Sequence, residues 1–578
     1  MGVVSPTRTT KRFAVVTEEK ASGATYTPPE LADFVAEQML RELATPAKGP
    51  LRILDPAVGG GELLASLLRL LPGDRAVEIH GFDNDQRALD ATAARLEEAH
   101  PKGSLHLRHG DFLEFVCGGG DAAIMGGLFD PGSSETFDLV IANPPYVRTQ
   151  IIGAKIAQRL AEKFGLTGRV DLYHAFVLAI ANVLRPHGVA GIIVSNRFMT
   201  TKAGASVRRA IRERFNLKHV WDLGDTKLFN AAVLPAVLVA EGLNGVKQAT
   251  PRFTSIYETK DQSDQRASSI TTSLVKKGVV AIPDGRCFRV QHGALDTSNS
   301  RDGVWRVATA ENDAWLATVE KHAWATFREL GKVRVGVKTC ADRVFIRDDW
   351  ETMPEDSRPE LLRPLTTHHI AKRFCPDAKA TQRQIVYPHE CVNGKRRTID
   401  LAPFPNTRKY LEEHRQSLED RTYVLDAGRS WYEIWVPQDP AAWSKPKLVF
   451  RDISEEPCFW IDLDSTIVNG DCYWLTCDDP EREDLLWLAA SVGNSTFIEA
   501  FYDRSFNNKL YAGRRRFITQ YVEKFPLPDP GGEDGKAIIA KAKAIYDTIG
   551  SSRADQLQEE LDQMIWSVFG LPIEEVRR

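Results

Sequence analysis

The sequence lacks the features that mark several classes of protein. None of its 8 cysteines belongs to a C-x-x-C pair, and the nearest two, Cys472 and Cys477, lie in a strand-like stretch. Neither a disulfide framework nor a cysteine zinc site is expected. No run approaches 18 apolar residues, and the basic N-terminal stretch has no apolar core, which argues against a membrane span and a secretory signal. We therefore expect a reduced, cytoplasmic protein.

Positive charge is not in excess either. The chain has 74 Lys and Arg against 78 Asp and Glu, a net charge of −4, so a nucleic-acid surface would have to be a local basic patch. The apolar content of 43% and charged content of 26% are ordinary for a globular protein. A chain of 578 residues is too long to fold around one ordinary hydrophobic core, so we expect two or three domains.

Residues 1–245 are predicted to form the first domain, where apolar strand-like runs alternate with helical stretches from about residue 25. "LRILDPA" precedes "GELLASLLRLL", "VEIHGFD" precedes "QRALDATAARLEEA", and "FDLVIAN" is followed later by "DLYHAFVLAIANVL". This alternation predicts an α/β fold with a Rossmann-like, doubly wound and mostly parallel sheet. Such sheets bind ligands at the carboxyl ends of their strands.

The composition and the hydrophobic pattern of the sequence change beyond this domain. Residues 246–300 are polar and are predicted to be an irregular connecting region. Tryptophans and short β-like runs over 301–530 predict a mixed α+β domain, which ends near the proline- and glycine-rich "PLPDPGGEDGK". Residues 531–578 are predicted to be a helical tail.

A glycine-rich turn follows the first predicted strand in "ILDPAVGGGELL". Asp55 lies at the strand end, Gly59 to Gly61 lead into a helix, and Asp83 ends the next strand, where it could bind a ribose diol. A P-loop would need Lys followed by Ser or Thr, and a dinucleotide motif would need glycine at Leu64. The pattern suits S-adenosylmethionine, although a merely tight strand–helix turn remains an alternative.

Two further strand ends carry side chains of possible function. In "GDFLEF", Asp111 and Phe112 could contact an adenine amino group and its face, or Asp111 could simply cap a turn or helix. In "FDLVIANPPY", the prolines hold Asn143 in a stiff corner. The Asn143 amide oxygen and the Pro144 carbonyl could accept hydrogen bonds from the two hydrogens of an exocyclic amine, which would free the nitrogen lone pair. Tyr146 could stack on the base.

These segments resemble gamma-class, TaqI-like adenine-N6 DNA methyltransferases. "YTPPELADFV", "ILDPAVGGGELL", "GFDNDQRALD", "GDFLEF", "FDLVIANPPY" and "DLYHAFVLAIANVLRPHGVAGIIVSNRF" occur in the order seen in that family. The first glycine motif departs from the common "DPACGSG" at Val58 and Gly60. The resemblance implies catalysis by Asn143, Pro144, Pro145 and Tyr146. It implies cofactor binding by Thr27, Asp55, Ala57, Gly59, Gly61, Asp83, Asn84, Asp111, Phe112 and Asn143.

The resemblance extends beyond the catalytic segments. It implies that Phe229 in "LGDTKLFNAAVLPAVLVA" stacks on a flipped adenine, although Phe229 could equally be a core residue. It implies that residues 301–530 are a DNA target-recognition domain. The basic stretch near its end could contact phosphate through Lys509, Arg514, Arg515 and Arg516, or be only a solvated surface.

The resulting hypothesis is a site-specific adenine methyltransferase. Its cofactor would be S-adenosylmethionine, with no metal needed for methyl transfer, and its substrate double-stranded DNA. We expect a monomer without a membrane partner, and the resemblance leaves room for a separately encoded restriction endonuclease. Two alternatives stay open: a protein-glutamine methyltransferase, which also uses "NPPY" but is a much shorter chain, and a non-catalytic DNA-binding component of a defence system.

Overall fold

The computed structural model describes most of the chain. The described residues are 26–44, 49–100, 103–117, 136–146, 154–166, 171–229, 234–243, 245, 249–297, 303–506, 510 and 514–573. The chain divides into two compact units, Met1–Thr309 and Ala310–Arg578. Among the described residues, no helix has the length and apolar character that a membrane crossing requires.

The first unit is a large sheet covered by helices. Its strands are β1 (Leu51–Asp55), β2 (Val77–Asp83), β3 (Ser104–His109), β4 (Phe137–Ala142), β5 (Leu184–Ser195), β6 (Phe215–Asp222), β7 (Pro235–Gly242), β8 (Arg252–Thr259), β9 (Gly278–Ala281), β10 (Cys287–Asp296) and β11 (Arg306–Ala308). Its helices are α1 (Pro29–Glu42), α2 (Glu62–Leu70), α3 (Gln86–Ala99), α4 (Phe112–Cys117), α5 (Ala154–Phe164), α6 (Leu172–Val183), α7 (Arg197–Thr200), α8 (Ala205–Arg214) and α9 (Ile270–Ser273).

The strand order is β11-β10-β8-β6-β7-β5-β4-β1-β2-β3, with β9 paired to β10. Strands β3, β2, β1, β4 and β5 run parallel to one another, whereas β7 pairs antiparallel with both β5 and β6. The predicted doubly wound sheet is thereby confirmed, with antiparallel additions at one side. The order reverses between β1 and β4, and a ligand crevice is expected at the carboxyl ends of these two strands.

Burial explains why these segments become central strands and helices. Every residue of β4 ("FDLVIA") is buried, as expected for a strand covered on both faces. Helix α6 is also buried along most of its length, from Tyr173 to Ile180. A parallel sheet needs helices on both faces. The apolar α6 packs in the hydrophobic cluster on one face of the sheet, and α1 packs in the cluster on the other face, where Leu31 and Val35 are fully buried.

The stretch 246–300 differs from the predicted irregular connecting region. In its described part, β8 pairs with β6, and β10 pairs with β8, so both extend the sheet of the first unit. The stretch also belongs to that unit, whose boundary lies at Thr309. Strand β8 buries Phe253 to Tyr257 without a break and exposes only its first residue. The polar Thr254 and Ser255 lie within this buried run, so polar composition did not mark a loop here.

The second unit is a mixed α+β structure with small sheets. Its strands are β12 (Ala325–Thr326), β13 (Arg334–Val335), β14 (Ile346–Arg347), β15 (Leu362–Thr366), β16 (Arg383–Val386), β17 (His389–Val392), β18 (Lys395–Thr398), β19 (Lys447–Arg451), β20 (Ile453–Ser454), β21 (Phe459–Asp462), β22 (Ile467–Val468), β23 (Cys472–Leu475), β24 (Arg515–Arg516) and β25 (Pro526–Leu527). The longest sheets are β13-β23-β19-β21 and β14-β16-β15-β22.

Helices of the second unit include the predicted tail. They are α10 (Ala310–His322), α11 (Phe327–Leu330), α12 (Asp342–Phe345), α13 (Pro405–Glu413), α14 (Arg415–Glu419), α15 (Thr422–Asp426), α16 (Asp484–Gly493), α17 (Thr496–Phe506), α18 (Thr519–Val522), α19 (Glu533–Asp547) and α20 (Ser552–Val568). Ile538 and Trp566 of the last two helices lie in the same core as Phe459 and Phe497. The helical tail is therefore part of this unit's core.

Candidate active site at the carboxyl edge of the sheet

Asp55 lies at the end of β1 with an incompletely satisfied carboxylate. The side chain is buried, and its Oδ1 accepts a hydrogen bond from the Ala57 backbone N–H at 3.0 Å. Its Oδ2 is buried and has no hydrogen-bond partner in the described part of the chain. Burial raises the pKa of Asp55 to about 7, the Ala57 bond opposes that rise, and repulsion from Asp83 adds to it. A buried carboxylate oxygen of this kind suits a hydrogen-bond donor from a ligand.

The glycine turn after β1 is held in place from two sides. Gly59 and Gly61 adopt φ values of +50° and +71°, which favour glycine, and a Cβ on Gly61 would lie 2.9 Å from Thr92 Cγ2. Thr92 Oγ1 donates to the Gly59 carbonyl at 2.8 Å, and Arg95 Nη1 donates to the Gly60 carbonyl at 3.0 Å. Both residues lie on α3, one turn apart. Sequence reasoning missed them because only the tertiary structure brings α3 against the turn.

Asp83 links the ends of β1 and β2. Its Oδ2 accepts from the Gly59 N–H at 2.9 Å, and its Oδ1 accepts from the Asp85 N–H at 2.9 Å. A carboxylate has about four acceptor positions, so two remain for a ligand hydroxyl pair. The neighbouring Asn84 is exposed, and its carbonyl accepts from His109 Nε2 at 3.0 Å at the end of β3. Asp83 therefore shapes the glycine turn as well as offering acceptors.

Asp111 and Phe112 have structural roles at the end of β3. Asp111 Oδ1 accepts from the Leu113 N–H at 2.7 Å at the start of α4, which is the capping role left open by the sequence. Phe112 is buried and packs against Phe82 and Phe176, with ring centroids 5.5 and 5.9 Å away. The structure thus places the Phe112 ring in the core.

Two of the four residues after β4, Asn143 and Tyr146, form a hydrogen-bonded chain with Thr27. Asn143 Nδ2 donates to Thr27 Oγ1 at 3.1 Å, and the Tyr146 hydroxyl donates to Asn143 Oδ1 at 3.0 Å. Pro144 is buried, and Pro145 is half-buried between the two. The contacts fix which end of the Asn143 amide is the donor and which is the acceptor. They also join residues that are 116 positions apart in the sequence.

Tyr146 rests on a second tyrosine. Its ring makes an edge contact with Tyr173 of α6, with centroids 6.0 Å apart. Burial raises the pKa of both tyrosines above the usual value, so both hydroxyls stay protonated near neutral pH. A protonated Tyr146 can therefore keep donating to Asn143 Oδ1.

Phe229 does not expose its ring in this structure. It is only 5% exposed and lies in the hydrophobic cluster that contains Trp221 and Ile256. The core interpretation left open by the sequence therefore describes the observed position. The loop that leads to Phe229 is firmly held: Asp222 accepts from Asn196 Nδ2 at 2.9 Å and from the Tyr257 hydroxyl at 2.7 Å.

The basic stretch of the second unit is largely paired with acids. Arg515 is buried, donates to both carboxylate oxygens of Asp503 at 2.8 and 2.9 Å, and lies 3.1 Å from Glu499. Burial alone would lower the pKa of Arg515, but the two acids raise it above the usual value. Arg516 pairs with Asp452 at 3.1 Å, whereas Arg514 is exposed. The predicted phosphate contact is wrong for Arg515; Lys509 lies outside the described residues.

Comparison with known proteins places these features in a family context. Residues 79–229 match the Eco57I restriction-modification methylase model, and residues 394–527 match the TaqI-like C-terminal specificity domain. The chain is 37% identical over 573 residues to the Type II methyltransferase M.BanIII of Aneurinibacillus aneurinilyticus, covering 96% of this chain and 98% of that relative.

Two other likenesses are informative. The release factor glutamine methyltransferase of Gloeobacter violaceus is 24% identical over 148 residues, which cover 25% of this chain and 45% of that protein. Among solved structures, the Type IIL restriction-modification enzyme MmeI in complex with DNA has a TM-score of 0.56 at 14% identity, covering 95% of this chain and 73% of that one. At this identity the second likeness supports the fold alone.

Proposed function

Because this chain belongs to the Type II methyltransferases of restriction-modification systems, we propose that it methylates the N6 amine of adenine in duplex DNA at a specific site. The enzyme is an S-adenosylmethionine-dependent DNA methyltransferase. The observation that carries the adenine assignment is the hydrogen-bonded chain of Thr27, Asn143 and Tyr146 at the end of β4. It presents an oriented acceptor oxygen beside the glycine turn of β1.

The proposed role of Asn143 follows from the chemistry of an aromatic amine. The lone pair of such an amine is delocalised into the ring, so the nitrogen is a poor nucleophile. Acceptors aimed at its two hydrogens, here Asn143 Oδ1 and the Pro144 carbonyl, favour a tetrahedral nitrogen and release the lone pair. Because Thr27 and Tyr146 already fix the amide, little reorganisation is needed during the reaction.

The residues around Asp55 fit a cationic ligand with hydroxyl groups. The unpartnered Asp55 Oδ2 can accept from an ammonium group, and Asp83 retains acceptor capacity for a ribose. The left-handed glycines let the ligand approach the backbone closely. When bound, S-adenosylmethionine supplies a methyl group on a sulfonium, which a nucleophile can attack directly without a covalent enzyme intermediate. We propose that this step needs no metal ion.

The target base needs an aromatic partner once it leaves the duplex. Tyr146 is half-buried and follows Asn143 closely, so we assign it the stacking contact. Stacking by Phe229 would require its ring to leave the cluster in which it is buried. We therefore propose Phe229 as a contributor only after such a movement. Phe112 is likewise buried, so it would contact the cofactor adenine only after a comparable movement.

The second unit is the proposed DNA-recognition domain. The match of residues 394–527 to a TaqI-like C-terminal specificity domain supports this role. Arg514 is the exposed arginine of the basic stretch and is the proposed phosphate contact there. A separately encoded restriction endonuclease is the proposed functional partner.

The protein-glutamine alternative has less support. The alignment with the release-factor relative covers only 25% of this chain, whereas the alignment with M.BanIII covers 96%. An assay with methyl-labelled S-adenosylmethionine, duplex DNA and a release factor in one reaction separates the two functions. Label in DNA supports the proposal, and label confined to the release factor would refute it. The absence of label in both would support a non-catalytic component.

Thr27 is expected to matter through the orientation of Asn143. Thr27→Val removes the acceptor for Asn143 Nδ2, whereas Thr27→Ser keeps the hydroxyl. Loss of one hydrogen bond of about 1 kcal/mol should slow single-turnover methyl transfer by about five-fold at saturating substrates. The serine variant should restore most of the rate. Equal rates in the valine variant and the wild type would mean that Thr27 does not orient the amide.

Cofactor binding is expected to release a proton below neutral pH. The pKa of Asp55 is about 7, so near pH 6 the free protein holds this carboxyl mostly protonated. A cationic ligand favours the ionised form, so binding should lower that pKa and release up to about one proton. Above about pH 8.5 the group is already ionised, and the release should vanish. Calorimetry in buffers of different protonation enthalpy measures this, with Asp55→Asn as the control; the same proton release in that variant would exclude Asp55.

A further inference from the structure

Three potential metal ligands lie together on β2 and β3, apart from the residues discussed above. His80 pairs directly with His106 in the parallel register, and Glu78 precedes His80 by two residues. Because side chains alternate along a strand, Glu78 and His80 share one face of the sheet, and His106 lies beside them on the next strand. Their donor atoms all lie within 4.8 Å of one another.

The ligand atoms of Glu78 and His80 lie close to the separation needed to share one metal ion. Glu78 Oε1 and His80 Nε2 are 2.8 Å apart. Two ligand atoms bound tetrahedrally to one Zn²⁺ at about 2.0–2.2 Å are about 3.3–3.6 Å apart, so this pair would have to open by only about 0.5–0.8 Å. The His106 ring stacks on His80 with centroids 4.8 Å apart, and its nitrogens have no hydrogen-bond partner within the described residues. A rotation of this half-buried side chain could therefore bring a third ligand atom to the pair.

From this cluster, we infer that Glu78, His80 and His106 form a binding site for one divalent transition-metal ion such as Zn²⁺ or Co²⁺. Two imidazoles and a carboxylate are a ligand set that these ions accept, with water completing the coordination. Arg52 Nε lies 3.5 Å from Glu78 Oε2, so it holds the second carboxylate oxygen and leaves Oε1 facing the imidazoles. The same positive charge weakens cation binding, so the site should be weaker than a closed cysteine site.

The position of the site indicates a structural role. Among the described strands, β3 stands at the end of the sheet and pairs with β2 only. An ion shared by His80 and His106 would tie β3 to β2 and reduce fraying of that edge. These strands end at Asp83 and His109, which shape the proposed cofactor site. The ion would thus act on stability and leave the metal-free chemistry at Asn143 unchanged.

Binding of Co²⁺ to the full-length protein after removal of bound metal by a chelator tests the inference. Visible absorption of Co²⁺ reports nitrogen and oxygen ligation, and the wild type should bind one equivalent with a rise in melting temperature. His106→Ala and Glu78→Gln should each weaken that binding by at least about ten-fold. His109→Ala, three residues further on β3 and so on the opposite face, is the matched control and should bind as the wild type does.

Two results would exclude a metal site at these three residues. Equal Co²⁺ binding by the wild type, His106→Ala and Glu78→Gln would place the ion elsewhere and overturn the inference. Absence of binding by a folded wild type would leave the three residues as a hydrogen-bonded polar cluster and would also overturn it. Since the conservative Glu78→Gln keeps the side-chain size, a folding defect of His106→Ala alone does not decide the result. The readout is metal binding, so it is independent of the proposed methyl transfer.

Discussion

Replacing Asn143 by alanine is expected to slow methyl transfer by about 10²- to 10³-fold, with cofactor and DNA affinity close to wild type. That range is the loss seen when one preorganised hydrogen-bonding group at a reacting centre is removed. Asn143 Oδ1 is the oriented acceptor of the site, and alanine removes it together with the bond from Tyr146 to Oδ1 and the bond from Nδ2 to Thr27. Since the acceptor acts on the amine as it reacts, the loss should appear in the single-turnover rate at saturating substrates.

The matched control for this prediction is Asn143→Asp. Aspartate keeps acceptor oxygens of nearly the same shape, and Thr27 can turn its hydroxyl to donate to it. This variant should therefore retain more activity than the alanine variant. A wild-type rate for Asn143→Ala would contradict the proposed activation of the amine. An equal loss of DNA or cofactor binding would instead assign Asn143 to binding.

Arg515→Ala is expected to destabilise the second unit by about 3–5 kcal/mol, the usual cost of removing one partner from a buried ion pair. The change removes the guanidinium that pairs with the carboxylates of Asp503 and Glu499 and donates a hydrogen bond to the Glu455 carbonyl. Denaturant unfolding monitored by tryptophan fluorescence measures the loss. Arg515→Lys keeps the charge without the paired N–H donors, so its free energy of unfolding should lie between those of the other two proteins.

Arg514→Gln is the control on the neighbouring exposed side chain. Its stability should stay within about 0.5 kcal/mol of wild type, because surface substitutions are usually small in effect. If Arg514 contacts phosphate, this variant should also reduce the salt dependence of DNA binding by about one unit of slope. An unchanged stability of Arg515→Ala would contradict the structural role given to Arg515. Replacing all three arginines together would mix folding with DNA binding and decide neither.

The parts of the site that could be predicted from the sequence are the local ones. The glycine turn, Asp55, Asp83 and the four residues from Asn143 to Tyr146 are contiguous or lie at strand ends, where α/β sheets bind ligands. Their chemistry follows from residue type and spacing. Thr92 and Arg95 could not be found in this way, because their function depends on how α3 packs against the turn.

Burial explains where the sequence interpretation failed. A run of three arginines in the sequence does not reveal which of them is buried. Asp503 and Glu499 of α17 pair with Arg515, and these ion pairs keep its side chain buried. Phe229 and Phe112 are aromatic residues near predicted sites, but the packing of the core, absent from a linear pattern, buries both rings. The polar stretch 246–300 was predicted to be irregular because its strands are only partly apolar, although they pair with β6 and with each other.

The central claim is methylation of adenine N6 at a defined DNA site by the Asn143 centre. Sequencing with modified-base detection on DNA from a methylation-deficient host tests it most directly, with hosts expressing either the wild type or Asn143→Ala. The account predicts N6-methyladenine at one recurring sequence in DNA from the wild-type host and its absence with the variant. Modified cytosine in place of adenine, or unmodified DNA from a host that produces folded wild-type protein, would contradict it.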